Sequence, residues 1–474
     1  MKHMLEAVVQ ELNELFWSKV LIIFLVGTGF YFTLRSRFLQ FRLLKEMMMV
    51  LKEGKTSAAG GLSPFQAFCI GMAARVGTGN ITGIAIAIAL GGPGAVFWMW
   101  IIALIGSASA FVESTLAQIY KVKDHGGFRG GPAYYMEKGL KKRWMGALFA
   151  ILITLSFGLV FNAVQSNTIT VAFQSSFGTD RLTLGIIMTV LFAFIIFGGI
   201  KRIAKASEYI VVVLAVFYIG VALFIVIMNI EQVPGVLALI VKSAFGLEQA
   251  AGGTFGAMIM NGIKRGLFSN EAGMGSAPNA AATAVTSHPV KQGLIQALGV
   301  LIDTGVICTS SAFIVLLSPV YKQTELSGIE LTQASLATHM GSWAPGFLAF
   351  MILLFAFSTL IGNYYYGETN IEFLNTNKMW LIVYRVGVLA MILFGAVAKV
   401  QLVWDLADLF MGFMVVVNLI AILLLSKVAF MALNDYVQQK KAGHNPQFYS
   451  NSIENIEGAE CWPEAEMHKK ENIL

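Results

Sequence analysis

Long apolar runs fill most of the chain, and short polar or basic stretches separate them. Runs of about 18 or more apolar residues are long enough to cross a bilayer as helices. Eleven are predicted, at roughly 17–34, 63–90, 93–120, 144–173, 181–199, 207–229, 254–283, 292–317, 344–372, 379–398 and 402–428. At about 20 residues per crossing they account for half or more of the chain. What remains is too scattered to form a separate soluble domain. The residues before the first run are too long and acidic for a signal-peptide n-region. That run ends in Arg35-Ser36-Arg37, with no small-residue cleavage site, so a retained first helix is expected.

Two runs are interrupted. The second carries Arg75-Val76-Gly77-Thr78-Gly79-Asn80, and the seventh carries Ser269-Asn270-Glu271-Ala272-Gly273-Met274. Glycine costs a helix interior about 1 kcal/mol relative to alanine, so clustered glycines beside Asn and Glu predict a broken helix. Non-helical backbone at that depth survives only inside protein or along a cavity. One break opens runs 2–6 and the other opens runs 7–11. Five is odd, so the two halves enter the bilayer from opposite sides, and broken helices in matching positions point to a transport site. The predicted fold is an all-α polytopic membrane protein. An extra helix and basic loop (1–60) precede a five-helix repeat (61–230), an inverted five-helix repeat (231–430) and a polar, partly disordered tail (431–474).

Charge sets the orientation. Of the 33 Lys and Arg residues, 23 fall on the side of 35–60, 121–143, 201–205, Lys291, Lys378 and the tail, and 8 on the other. That bias places the N-terminus outside and the C-terminus in the cytoplasm. Hydrophobic residues make up 57% and charged residues 13%, against about 45–50% and 25% in a globular chain, which excludes a soluble or disordered protein. Three cysteines exclude a disulfide scaffold. The net charge of +6 is then a record of topology, not of a nucleic-acid partner.

Gly77-x-Gly79-x-x-x-Gly83 displaces the third glycine of a dinucleotide turn and lacks its preceding strand. Close helix packing through small residues is one reading. The other is an unwound turn whose free amides, heading a half-helix from about Asn80, suit a carboxylate. Carbonyls near Ala73 and Val76 are then free to hold a cation, and those near Ser269 and Gly273 to accept from an ammonium. Ser358-Thr359 of the ninth run would complete a neutral oxygen cage for a hard cation. Charges inside spans default to a functional hypothesis: Arg75, Glu113, Glu271 and Asp303 are candidate gates or ion pairs. Glu113 is expected to bridge the first break, and Arg75 to pair with Glu271 or Glu113. Glu208, Glu368, Asp405 and Asp408 lie near the faces, where solvation suffices. Asn162, Gln165 and Ser166 form a polar stripe on the fourth run. The histidines build no metal site, and no catalytic constellation is present, so an enzyme is not expected.

Four motifs then stand together: Gly77-Thr78-Gly79-Asn80, Ala89-Leu90-Gly91-Gly92-Pro93-Gly94-Ala95, Gly130-Gly131-Pro132-Ala133-Tyr134-Tyr135, and Lys264-Arg265-Gly266-Leu267-Phe268-Ser269-Asn270-Glu271-Ala272-Gly273. In this order the chain, through about residue 430, resembles the alanine or glycine:cation symporter family of the amino acid–polyamine–organocation superfamily. The resemblance implies the leucine-transporter-type five-plus-five fold and sodium-driven uptake of small neutral amino acids, with a monomer sufficient. It implies that Thr78, Gly79 and Asn80 meet the substrate carboxylate, and that Gln165, Ser269, Gly273 and Met274 frame the amine and side chain. Ala73, Val76, Ser358 and Thr359 resemble the superfamily's shared sodium site. Many members carry Trp where this chain has Asn363, an exchange that resembles the branch handling glutamine. Two rival readings are a proton-coupled carrier titrating Glu271, Glu113 or Asp303, and a channel or nutrient sensor on the same fold.

Overall fold

The computed structural model describes residues 2–17, 19–54, 61–124, 127–196, 200–246, 255–322, 325–453 and 456–464. Lys55, His125, His468, Lys469, Lys470 and the expected span ends at 197–199 and 254 lie outside them.

Helices α1 (Lys2–Phe16) and α2 (Lys19–Arg35) are followed by the short α3 (Leu39–Arg42) and α4 (Leu44–Glu53). Ser63 opens α5 (Pro64–Arg75) with a capping box: its Oγ accepts from Gln66 N, and the Gln66 side chain accepts from Ser63 N. After Arg75 the backbone turns extended at Val76, runs through a π-helical Gly79–Gly83 and continues as α6 (Ile84–Gly91). The two halves are bent by 50°. Gly92, at φ 76, lets the chain reverse into α7 (Gly94–Ile119). A small antiparallel hairpin, β1 (Val122–Asp124) and β2 (Gly127–Arg129), leads to α8 (Pro132–Lys138) and α9 (Arg143–Ile153). A π-helical stretch, Thr154–Phe161, joins α9 to α10 (Asn162–Phe177). Next come α11 (Arg181–Ile196), α12 (Ile200–Met228) and α13 (Val233–Ala244). The second break separates α14 (Phe255–Asn270) from the one-turn α15 (Ala277–Ala281). Then α16 (Pro289–Ile302) passes through π-helical Asp303–Cys308 into α17 (Thr309–Leu316). The chain closes with α18 (Gly328–Met340), α19 (Ala344–Leu374), α20 (Lys378–Val397) and the long α21 (Val400–Lys441).

By length and apolarity, seven helices of the described residues can cross a membrane, or nine if each bent pair counts as one span. The difference from eleven has a local cause: α11 has only 16 residues, and α14 stops at the break.

Polarity is inverted relative to a soluble protein. Phe194, Ile227 and Leu424 are 78%, 67% and 65% exposed, while Asn80, Glu113, Gln118, Asn162 and Asp303 are fully buried. An apolar coat over a polar interior suits lipid, where helices satisfy their own backbone. The helices pack in two groups. One holds α7 against α14 and α16; the other holds α10 against α19 and α20, with α11 on α20. Between the groups, α5 meets α19, and α21 lies along the seam against α7, α9 and α10.

Candidate functional site

The two breaks face each other in the core. At the first, Val76 N still donates to Met72 O (2.7 Å), and then the ladder ends. Gly77 N donates to Asn80 Oδ1 (3.0 Å), and Thr78 N to Gln165 Oε1 of α10 (3.3 Å). Gly77 is glycine because of crowding: a methyl there would collide with Thr359 Oγ1 and lie 3.1 Å from Gln165 Oε1. Gly79 likewise admits the Phe268 ring and Ser269 Cα at 3.0 and 3.1 Å from where its methyl would be.

Thr359 Oγ1 of α19 lies 2.8 Å from Ala73 O, 3.1 Å from Phe355 O and 3.3 Å from Val76 O. One hydroxyl proton is shared between the Ala73 and Val76 carbonyls, so the corner is rich in neutral oxygen and short of donors. Such a donor set fits a hard cation. Ser358 Oγ instead donates to Phe355 O of its own helix (2.8 Å), away from α5.

Asn80 joins the breaks. Its Nδ2 donates to Ser269 Oγ (2.8 Å) and Asp303 Oδ1 (2.6 Å), while Ser269 Oγ donates to Asp303 Oδ2 (2.7 Å). Its side chain is therefore committed within the protein, which leaves the Thr78 and Gly79 region as the open part of the motif. Among the described residues, Thr78 Oγ1 and both amide atoms of Asn363 are buried without a hydrogen-bond partner. Buried polar groups are nearly always hydrogen-bonded, so these unsatisfied atoms mark places for a ligand.

The second break is a run of left-handed residues: Glu271, Gly273 and Gly275 have φ of 58°, 81° and 84°. Glu113 of α7 holds it. Its Oε1 accepts from Gly273 N (3.1 Å) and its Oε2 from Gly275 N (3.0 Å) and Asn418 Nδ2 (2.8 Å). Asn418 also donates to Gly273 O (2.9 Å) and accepts from the Tyr135 hydroxyl. Glu113 thus braces the second break and not the first, because α7 packs along α14. Glu271 accepts from Ser276 Oγ (2.6 Å) within the same loop, and Met274 is fully buried beside it.

Arg75 corrects a further expectation. Among the described residues no carboxylate pairs with it; Nη1 reaches only Gln296 O (3.5 Å), and Nε and Nη2 have no partner. The polar stripe of α10 also divides. Gln165 faces the break, Asn162 donates to Gly158 O of its own helix, and Ser166 donates to Ile392 O of α20.

Asp408 is not solvated. It is buried and paired with Arg265, whose guanidinium lies 4.7 Å over the Trp404 ring. Below that pair Trp404 meets Phe268 (4.7 Å), which stacks on Phe161 (4.5 Å, 13°) above Gly79. The sequence assigns no site role to Arg265, Trp404, Phe268, Asn418 or Tyr135; three of them, Arg265, Phe268 and Tyr135, stand in the family-like motifs, and Arg265 is also a basic residue inside an apolar run. Glu368, also expected to be solvated, pairs with Arg385 (3.2 Å) and accepts from Tyr364 (3.0 Å).

Two opposed helix breaks, buried in the polar centre of an apolar-coated bundle, define a multi-pass membrane transport protein. The chain belongs to the sodium:alanine symporter family, whose sequence model matches residues 1–450. With that membership comes cation-coupled amino-acid symport, with sodium as the co-transported ion. The chain is 72% identical over 464 residues to the probable sodium/glutamine symporter GlnT of Bacillus subtilis, covering 98% of this chain and 97% of that one. It is 56% identical over 450 residues to the amino-acid carrier protein AlsT of the same organism (95% and 96% covered). It is 39% identical over 433 residues to the sodium/alanine symporter AgcS of Methanococcus maripaludis (89% and 95% covered). A crystal structure of a mutant of the Eremococcus coleocola manganese transporter is similar in fold, with a TM-score of 0.50 at 16% identity, covering 80% of this chain and 82% of that one.

Proposed function

We propose that the chain imports a neutral amino acid, glutamine foremost, together with sodium by alternating access. The observation that carries the reading is the oxygen-rich corner where one Thr359 hydroxyl faces the Ala73 and Val76 carbonyls at the first break. Sodium binds there, with Ser358 turning in on binding. The amino-acid carboxylate takes the backbone amides around Thr78 and Gly79, displacing Gln165 from Thr78 N, and Gln165, Ser269, Gly273 and Met274 frame the rest. The unsatisfied amide of Asn363 supports a substrate with a polar side chain, as does the likeness to a probable sodium/glutamine symporter.

Eleven crossings, an extra first helix and two inverted five-helix repeats (61–230 and 231–430) organise the motion. The group of α5–α7 and α14–α17 rocks against that of α9–α11 and α19–α20, in a chain whose N-terminus is outside and C-terminus cytoplasmic. A monomer in the lipid bilayer suffices. The Trp404–Phe268–Phe161 stack under Arg265–Asp408 is the outer lid. Inward sodium flow supplies about 2.3 kcal/mol per charge per 100 mV, a gradient of roughly fifty-fold.

The test is uptake into proteoliposomes, with glycine, alanine, serine and glutamine competing in sodium or in choline. Glutamine is expected to compete best, and only in sodium. Uptake unchanged in choline, or driven by an acid-outside gradient alone, rejects sodium coupling.

A further inference from the structure

Of the segment beyond α21, residues 442–453 and 456–464 are described. They fold back over the basic face, in two footholds. In the first, Phe448 N donates to Ser287 O (2.9 Å), Ser287 Oγ donates to Pro446 O (2.9 Å), and Lys291 Nζ donates to Asn445 Oδ1 (2.7 Å). Phe448 also stands edge-on to the buried His288 (5.3 Å, 80°). These partners lie at the start of α16. In the second, Trp462 Nε1 donates to Gln118 O at the end of α7 (3.1 Å), and its ring covers Lys121 Nζ at 4.9 Å. Trp462 is 9% exposed and meets Phe448 edge-on (5.1 Å, 79°), so the footholds form one aromatic plug.

Between these anchors the segment crosses to the other helix group. Glu460 pairs with Lys138 at the end of α8, and Glu457 with Lys141 in the turn to α9. The Lys141–Glu457 pair is largely exposed and contributes little. Most of the grip is therefore aromatic burial and backbone hydrogen bonding on α7 and α16. The family match ends at residue 450, so the Glu457–Trp462 half of the strap lies beyond it.

On the alternating-access reading above, α7 and α16 move while α8 and α9 stay. We propose that residues 444–453 and 456–464 form an intramolecular latch that holds the cytoplasmic face shut, and that its hold on α7 and α16 must be released each time that face opens. An interaction made only in the closed state shifts the equilibrium by its own differential free energy. The latch therefore sets how often the inner side opens, without touching the substrate.

The experiment uses the full chain carrying Cys461→Ser, with Lys291→Cys and Asn445→Cys bridged by a short, reducible bis-thiosulfonate. Sodium-driven glutamine uptake is measured in proteoliposomes before and after reduction. Bridging is expected to lower uptake about tenfold or more, and reduction to restore it. A bridged chain that transports at the reduced rate overturns the latch. A reduced chain that takes up no neutral amino acid overturns the transport reading instead. In a second variant, Trp462→Ala with Cys461 kept, labelling of Cys461 by a membrane-impermeant maleimide is expected to quicken roughly tenfold; an unchanged rate also overturns the latch.

Discussion

Replacing Glu113 by glutamine isolates the charge that holds the second break, because shape and volume are kept. The carboxylate takes three donors, Gly273 N at 3.1 Å, Gly275 N at 3.0 Å and Asn418 Nδ2 at 2.8 Å. A carboxamide offers one oxygen. In its better orientation that oxygen keeps Gly275 and Asn418, and the NH2 group is turned onto the Gly273 N–H, donor against donor. Hydrogen bonds to a charged group contribute about 1.5–3 kcal/mol and neutral ones about 0.5–1.5. Losing one and weakening two costs roughly 4 kcal/mol. Neutralising a fully buried carboxylate recovers part of its desolvation, leaving about 2–3 kcal/mol. That is roughly a 30- to 150-fold loss in the population of the ordered break. Initial rates of sodium-driven uptake should fall by a comparable factor, with a lower thermal unfolding midpoint in detergent. Wild-type uptake and an unshifted midpoint in Glu113→Gln would falsify the claim that charge orders this loop.

Thr359→Val keeps the branched shape but removes the hydroxyl facing Ala73 and Val76. The sodium concentration for half-maximal uptake should rise about tenfold, with amino-acid affinity at saturating sodium unchanged; an equal rise in both would count against a separate ion corner. Arg265→Met leaves the buried Asp408 carboxylate with only the longer Lys264 contact (3.7 Å), at a cost of up to about 3 kcal/mol, and adding Asp408→Leu should recover part of the lost thermal stability. A double variant no more stable than the single one would show that pairing is not what Asp408 needs. Burial lowers the Lys121 ammonium from 10.5 to about 7. Between those values the packed face binds fewer protons than the unpacked one, so its stability falls as pH drops through that window and levels off below about 7. Amide exchange of residues 456–464, corrected for its intrinsic rate, should be better protected at pH 9 than at pH 7, and Lys121→Met should flatten the difference.

The breaks were legible because glycine clusters inside an apolar run are locally expensive, and nothing distant is needed to notice them. The adjacent hydroxyls of Ser358-Thr359 read as partners of the Ala73 and Val76 carbonyls, and the superfamily resemblance points to the same four residues. Pairings across the fold were not legible. Arg265 and Asp408 are 143 residues apart, and each alone reads as an ordinary charge near a span end. Glu113 had two breaks to choose from, and only the packing of α7 on α14 decides between them. Arg75 was assigned an acidic mate on the assumption that a buried charge finds one; instead Gly299 leaves room for its guanidinium against α16. The C-terminal strap escaped notice because its composition is polar, and two aromatics fourteen residues apart carry no periodicity.

The π-helical stretches have a consequence for the aim of the side chains that follow them. A π turn is an α turn with one residue inserted, and each residue of an α-helix advances the azimuth by about 100°. Thr154–Phe161 stands immediately before α10, so the azimuth of Gln165 toward Thr78 depends on that inserted residue. Deleting one residue there would leave a continuous apolar helix of almost the same length. It would also swing Gln165, Ser166 and Asn167 together by more than a quarter of the circle, uncoupling the first break from its neighbour with no change in composition. A one-residue change of length within 154–161 would therefore turn Gln165 away from Thr78 with the pocket residues themselves unchanged.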